Sequence, residues 1–263
     1  MIIKKFFKVI DKFLLFNSLY KIYRKFLNLK LTKVYNTKSG KYLLPVFAVK
    51  DIIRNEIIRN NIFNEDVYNR AKKYIKKDSV VLDAGANYGQ MSILFSQIKD
   101  DVKVYSFESS KYIFDILKKN INLNNANCIP INCILGNETG EFHNIKKAKL
   151  DNFNTYGSNK IEIIDEKNVS KKDFDRVKTL IIDEFNFDKK ISLFKIDVQG
   201  YDLEVLKGSK KTISSHKMPI IFEYEKLFEK EFNYSFKDFE NFINEINYNI
   251  VDEFNNNYLI LPK

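Results

Sequence analysis

"VVLDAGANYGQMS", residues 80–92, decides the fold. Apolar residues at 80–82 run into Asp83. Gly85 and Gly89 follow, and the helical run "YGQMSILFSQIK" continues to Lys99. A short buried strand, a glycine turn and a helix form the opening of a βα unit. The rhythm then repeats. "VKVYSFES" (102–109) reads as a strand and "SKYIFDILKKNINLNN" (110–125) as a helix with Ile113, Ile116, Leu117 and Ile121 on its apolar side. "NCIPINCIL" (127–135) and "ISLFKIDV" (191–198) read as strands, and "GYDLEVLKGSKKTISSH" (200–216) as a helix. "PIIFEYE" (219–225) is a strand, and "SFKDFENFINEIN" (235–247) a helix with Ser235 and Asp238 as a capping pair. "YNIVDEF" and "YLILPK" close the chain as a hairpin across Asn255–Asn257. Strands alternating with helices predict an α/β fold: a mostly parallel sheet covered on both faces, with an antiparallel edge contributed by the hairpin.

Outward from that core, residues 31–76 read as an N-terminal hairpin turning at Ser39-Gly40, followed by one or two helices. Residues 77–263 form the main domain, interrupted by a polar insert at 137–190 with weak strand signals at "GEFHNI" and "RVKTLII". Residues 1–30 read as a basic amphipathic leader helix. They carry eight Lys and Arg against Asp11, a net +7 of the chain's +10. The main domain is therefore only mildly basic, which argues against a nucleic-acid footprint. The longest apolar run of the leader is "FLLF", far short of the roughly 20 residues that span a bilayer. Its pattern suits either peripheral contact with an anionic membrane or packing on the domain. Cys128 and Cys133 are five positions apart, which points them to opposite faces of a strand, so the chain reads as reduced and cytoplasmic.

Ligands of open α/β sheets bind outside the carboxyl ends of the strands. There the loop after Asp83 has the spacing D-x-G-x-x-x-G, neither a pyrophosphate cradle nor a Walker loop. An acid in that loop suits a ligand bearing an ammonium group, such as S-adenosylmethionine (SAM). Gly85 lets backbone approach the ligand closely, and Gly89 starts the helix tight against the sheet. Glu108 ends the next strand, 25 positions after Asp83, where an acid accepts hydrogen bonds from both ribose hydroxyls of an adenosine. Each acid could instead cap the helix that follows it.

These residues resemble the FkbM-type SAM-dependent methyltransferases. The resemblance runs from about residue 50 to 225 and includes "IFNEDVY", "VVLDAGANYGQMS", "VYSFESS", "CILGNETGEF", "VKTL", "FKIDVQGYDLEVLKG" and "PIIFEYE". It implies a class I methyltransferase, Rossmann-like fold of seven strands with the last one antiparallel. It also implies SAM as cofactor and O-methylation of hydroxyls on sugars and other natural products. By position, Asp83, Gly85, Asn87 and Gly89 match the SAM loop and Glu108 the ribose acid. Many members carry Glu where this chain has Gln199, and Glu again where it has Asp202. The neutral Gln199 argues against a divalent metal held by this pair.

Methyl transfer to an alcohol needs in-line alignment and removal of a proton. Asp197, at the end of its strand, is the expected base or acceptor-orienting group, and Glu223, ending the next strand, is the second carboxylate. Lys195 shares a strand face with Asp197 and is a candidate substrate-binding residue. Tyr156 and Ser158 of "NTYGSNK" in the insert are candidates for sugar contacts. Asp202 and Glu204 suit the start of a helix. His216 belongs at the opposite edge from the site, and His143 stands in the insert. The reading is therefore a SAM-dependent O-methyltransferase of a glycan or glycan precursor, at the inner face of the membrane if the leader binds there. The contrasting reading is a non-catalytic SAM-binding or membrane-tethered scaffold that keeps the methyltransferase fold, motivated by Gln199.

Overall fold

The computed structural model describes residues 32–46, 48–140, 142–146 and 174–263. The leader, Tyr156 and Ser158 lie outside these residues. Strands β1 (Thr32–Thr37) and β2 (Gly40–Pro45) form the expected hairpin, and the helical stretch resolves into two helices, α1 (Ile52–Ile58) and α2 (Glu65–Ala71). The alternating units follow: β3 (Val80–Ala84), α3 (Gln90–Ser96), β4 (Lys103–Glu108), α4 (Lys111–Leu123) and β5 (Cys128–Asn132). After the insert come β9 (Ile191–Ile196), α5 (Asp202–Lys207), α6 (Lys210–His216), β10 (Ile220–Glu223), α7 (Glu229–Phe232) and α8 (Phe236–Glu245). The hairpin of β11 (Tyr248–Phe254) and β12 (Asn257–Pro262) ends the chain.

Seven of these strands make one sheet in the order β11-β12-β10-β9-β3-β4-β5. β3 pairs parallel with β4 and β9, and β12 runs antiparallel to both β10 and β11. The predicted mixed sheet with its reversed C-terminal strand is therefore present. β3 is buried on both faces, Val80, Leu82 and Ala84 packing into one layer and Val81 into the other. That explains a continuous apolar run where a half-exposed strand would alternate. α4 buries Ile113, Ile116, Leu117 and Ile121, each contributing about 1.5–3 kcal/mol of burial. Asp238 accepts from Ser235 N at 2.7 Å at the start of α8, the predicted capping contact.

Two elements differ from the sequence reading. The helix expected over 200–216 breaks into α5 and α6 at Gly208, where a Cβ would sit 1.9 Å from Gly136 O. The close approach of another segment's backbone, invisible in local sequence, sets this break. The strand expected over 127–135 also divides. β5 stays in the main sheet, whereas β6 (Ile134–Leu135) pairs with β8 (Phe174–Leu180). With β7 (Phe142–Lys146) these form a small sheet of order β6-β8-β7, so the weak strand signals of the insert are real strands. Cys128 and Cys133 are free thiols, and Cys133 is buried. Among the described residues, no helix is long and apolar enough to cross a membrane.

Candidate active site

The carboxyl ends of β3, β4 and β9 meet where the connections leave β3 in opposite directions, and a cleft opens there. Gly85, Asn87, Glu108, Lys195 and Asp197 line it, with walls from Phe63, Val67, Met91, Phe107, Ile134, Leu135 and Ile145. Asp83, Gly89 and Glu223 stand outside this lining.

The turn after β3 is held by its backbone. Gly85 N and Ala86 N donate to Phe107 O at 3.0 and 2.9 Å. Gly85 has φ +77°, and a Cβ there would lie 1.8 Å from Asp197 O. One close approach that requires glycine here is to the neighbouring strand end. Gly89, φ +88°, begins α3 against Leu117 of α4, whose Cδ1 would be 2.5 Å from an added Cβ.

Glu108 keeps acceptor capacity toward the cleft. Its Oε2 accepts from Asn87 N at 3.0 Å and its Oε1 from Ser110 N at 2.8 Å, leaving a lone pair on each oxygen for ligand hydroxyls. The first amide belongs to the turn after β3, so one carboxylate ties two strand ends together. Its contacts differ from those of an N-cap side chain, since Ser110 itself occupies the N-cap of α4. Burial pushes its pKa up to about 7, against the opposing effect of the two amides.

Asp83 takes a different place from the one its sequence suggests. It is fully buried. Its Oδ2 accepts from Ser92 Oγ at 2.5 Å, and Oδ1 faces Lys195 Nζ at 3.1 Å. The ammonium that Asp83 meets is therefore supplied by the protein. Lys195 donates hydrogen bonds to Ala84 O and Gly85 O, both at 3.1 Å. With two donors on the turn carbonyls and an ion pair to Asp83, it braces the turn while lining the cleft. Burial opposes its charge, but Asp83, Asp197 and Glu223 outweigh burial, and its pKa is raised.

Asp197 leaves β9 with its N–H donated to Ala84 O at 3.1 Å and its carboxylate 3.8 Å from Lys195. Its side chain keeps 18% of its surface exposed, so it can reach a molecule in the cleft. Gln199 Nε2 lies 3.3 Å from Asp197 Oδ1 and 3.0 Å from Glu223 Oε2, joining the two carboxyls. Burial, together with Asp197 and Asp202, pushes Glu223 up to about 10. Buried Asp202 is raised to about 7, chiefly by burial and then by Asp197. It accepts from Gly200 N at 3.2 Å, a turn contact in keeping with its expected local role. Among the described residues, no group of three or more His, Cys, Asp and Glu side chains is placed to hold a metal ion. His216 accepts from Ile191 N at the amino end of β9, remote from the cleft.

Some residues at the site escape sequence reading because their role depends on distant partners. Gln90 accepts from Phe63 N at 2.9 Å and donates to Asn61 O at 2.8 Å. Tyr88 Oη donates to Asp51 Oδ2 at 2.9 Å. Both tie the N-terminal segment to the turn after β3. Ile134, Leu135 and Ile145 reach the cleft through the small sheet of the insert.

The methyltransferase FkbM domain profile matches residues 83–250. No curated protein sequence matches the chain. Similar solved structures include the methyltransferase FkbM of Methylobacillus flagellatus KT, at 19% identity over 71% of this chain and 44% of that one, TM-score 0.44. Trm5b of Pyrococcus abyssi is 15% identical over 87% of this chain and 54% of its own, TM-score 0.43. TYW2 of M. jannaschii in complex with AdoMet is 14% identical over 89% and 84%, TM-score 0.41. The chain thus spans less than two thirds of the first two of these proteins. The matched region begins at Asp83, at the end of β3, and runs through the strand-end acids, the insert and the turn at Gly200; by it, the chain belongs to the FkbM methyltransferase family.

Proposed function

We propose that this protein transfers a methyl group from SAM to a hydroxyl of a carbohydrate acceptor, most simply a glycan or glycan precursor. The observation that carries the reading is the pairing, in one cleft, of a diol-receiving carboxylate with a partly exposed strand-end carboxylate: Glu108 and Asp197. The residues fit the cofactor. Glu108 would hold the ribose hydroxyls, the turn at Gly85–Asn87 would border the amino-acid part, and the Phe107 and Leu135 side would cover the base. SAM, when bound, supplies an activated methyl on a sulfonium that leaves readily.

The chain's own residues then have two tasks. The cleft must align the acceptor oxygen with the methyl carbon, and a base must take the hydroxyl proton. Asp197 is the group in reach. Lys195 lies 3.8 Å from its carboxylate, while its own protons go to the turn carbonyls. The insert residues Tyr156 and Ser158 would add polar contacts. The basic leader would keep the enzyme at the cytoplasmic face of an anionic membrane, near lipid-linked acceptors.

Calorimetry with S-adenosylhomocysteine (SAH) and transfer of labelled methyl to glycan extracts test the reading. SAH binding with label in a glycan, lost in Asp197→Ala, is the expected result. Binding without transfer to any extract would favour the scaffold reading, and absence of SAH binding would defeat both. Co-sedimentation with anionic vesicles, with and without residues 1–30, tests the membrane contact; equal sedimentation would remove it.

A further inference from the structure

Gln199 has no role in the reading above, yet its conformation is costly. It sits at φ +54°, in the left-handed region, and is followed by Gly200 at φ +98°. A long side chain held there is strained, and such strain persists where surrounding contacts fix it. The contacts here are the two carboxyls at the ends of adjacent strands. The amide donates to Asp197 Oδ1 at 3.3 Å and Glu223 Oε2 at 3.0 Å. Val198, Gln199 and Gly200 thus make the turn that turns an amide back over the acid of its own strand.

We propose that Gln199 is a positioning residue for proton removal: its amide links Asp197 to Glu223, fixes one Asp197 oxygen, and leaves the other to accept the acceptor's proton. This rests on the methyl-transfer reading. In the step, the acceptor's O–H bond breaks and its proton goes to Asp197, while the oxygen takes the methyl and SAH leaves. Glu223 keeps its own proton throughout and does not compete for the transferred one.

The groups facing this pair support that division. Asp202 and Glu225 add negative charge around Glu223, and Tyr234 lies within its field. Lys195 is the cation on the Asp197 side, shared with Asp83. Burial and the neighbouring acids keep Glu223 protonated at neutral pH, so the pair carries one negative charge instead of two. A Glu at position 199 would add a further acid to this cluster. An amide instead gives each carboxyl a donor at no cost in charge.

The test compares wild type with Gln199→Met and Gln199→Glu, by kcat against pH, SAH affinity, and NMR titration of carboxyl carbons in the labelled full chain. Removing the amide takes the donor from Asp197 Oδ1 and from Glu223 Oε2 together and frees the Asp197 carboxylate to turn. For Gln199→Met, kcat should fall about tenfold to hundredfold, the scale of a hydrogen bond to a charged group, and the carboxyl titration of Glu223, which loses the same donor, should move. SAH affinity should stay within about twofold, because Gln199 only borders the cofactor cleft. Gln199→Glu should also lower kcat and add a further carboxyl titration coupled to that of Glu223. Identical kcat and identical carboxyl titrations in wild type and Gln199→Met would overturn the proposal, as would a kcat loss with an unmoved Glu223 titration. A wild type that binds SAH but methylates nothing would defeat the functional reading. The NMR titration would still decide the bridge: an unchanged Glu223 titration in Gln199→Met would remove it.

Discussion

Lys195 Nζ and Asp83 Oδ1 lie 3.1 Å apart with both side chains closed to solvent. One buried ion pair therefore joins the ends of β3 and β9, and the same ammonium holds the carbonyls of Ala84 and Gly85. The turn beneath the proposed cofactor and the strand end carrying Asp197 are a single unit.

Lys195→Met removes the cation and strands a buried carboxylate. Breaking one partner of such a pair costs about 3–5 kcal/mol, whereas neutralising both is far milder. Lys195→Met should lose stability on that scale in urea denaturation, and adding Asp83→Asn should restore part of it. If the double variant were no more stable than the single, Asp83 would not depend on Lys195.

Gly85→Ala places a Cβ 1.8 Å from Asp197 O, and no rotamer change relieves a clash with backbone. The variant should lose on the order of 2 kcal/mol or more and bind SAH weakly, because the turn and β9 are forced apart. Gly140→Ala is the comparison. It also has positive φ, but among the described residues nothing lies within 4 Å of its added Cβ, so backbone strain of about 1 kcal/mol is the expected cost. Equal losses in the two variants, by denaturation midpoint, would remove the strand contact as the reason for Gly85.

The difference between these glycines shows what a sequence discloses. The order of strands and helices around residues 80–92, the reversed last strand and the ends bearing Asp83, Glu108 and Asp197 all follow from periodicity and glycine placement. What those ends touch does not follow. Asp83 and Lys195 are 112 positions apart in sequence, and only the parallel pairing of β3 with β9, Asp83 opposite Lys195, sets acid against ammonium. The break at Gly208 depends in the same way on Gly136. Gln199 was visible as a departure from a pattern, but its bridge to Glu223 needed the register of two strands.

Glu108 should make cofactor binding depend on pH. Its pKa, pushed up to about 7 by burial, means that the carboxylate is partly protonated at neutral pH. Ribose hydroxyls donate to the ionised form, so binding is linked to proton release. SAH affinity should therefore weaken as pH falls from 8 to 6. Glu108→Gln should weaken it by about tenfold or more at pH 8 and flatten this dependence. Calorimetry at several pH values is the check; a slope that persists in Glu108→Gln would assign the proton elsewhere.

Glu223 should limit the protein's stability at high pH. Its pKa rises from the ordinary 4.5 to about 10 in the fold, through burial and its acidic neighbours. Below pH 4.5 the folded and unfolded forms both hold the proton, and the residue has no effect. Between there and about 10, the unfolded chain releases a proton that the native state retains. The unfolded state then binds fewer protons, so stability falls as pH rises. Glu223→Gln keeps the shape of the protonated acid and removes the titration. Its Tm should exceed that of wild type at pH 8, with a gain of about 2–4 °C for each kcal/mol relieved, and should match wild type near pH 4. The same variant isolates chemistry from stability. If Glu223 only supports Asp197 through the shared amide, Glu223→Gln keeps a neutral partner in place and should retain most of the methyl transfer while the stability curve flattens. A variant that is stabilised but inactive would make Glu223, not Asp197, the group that takes the proton.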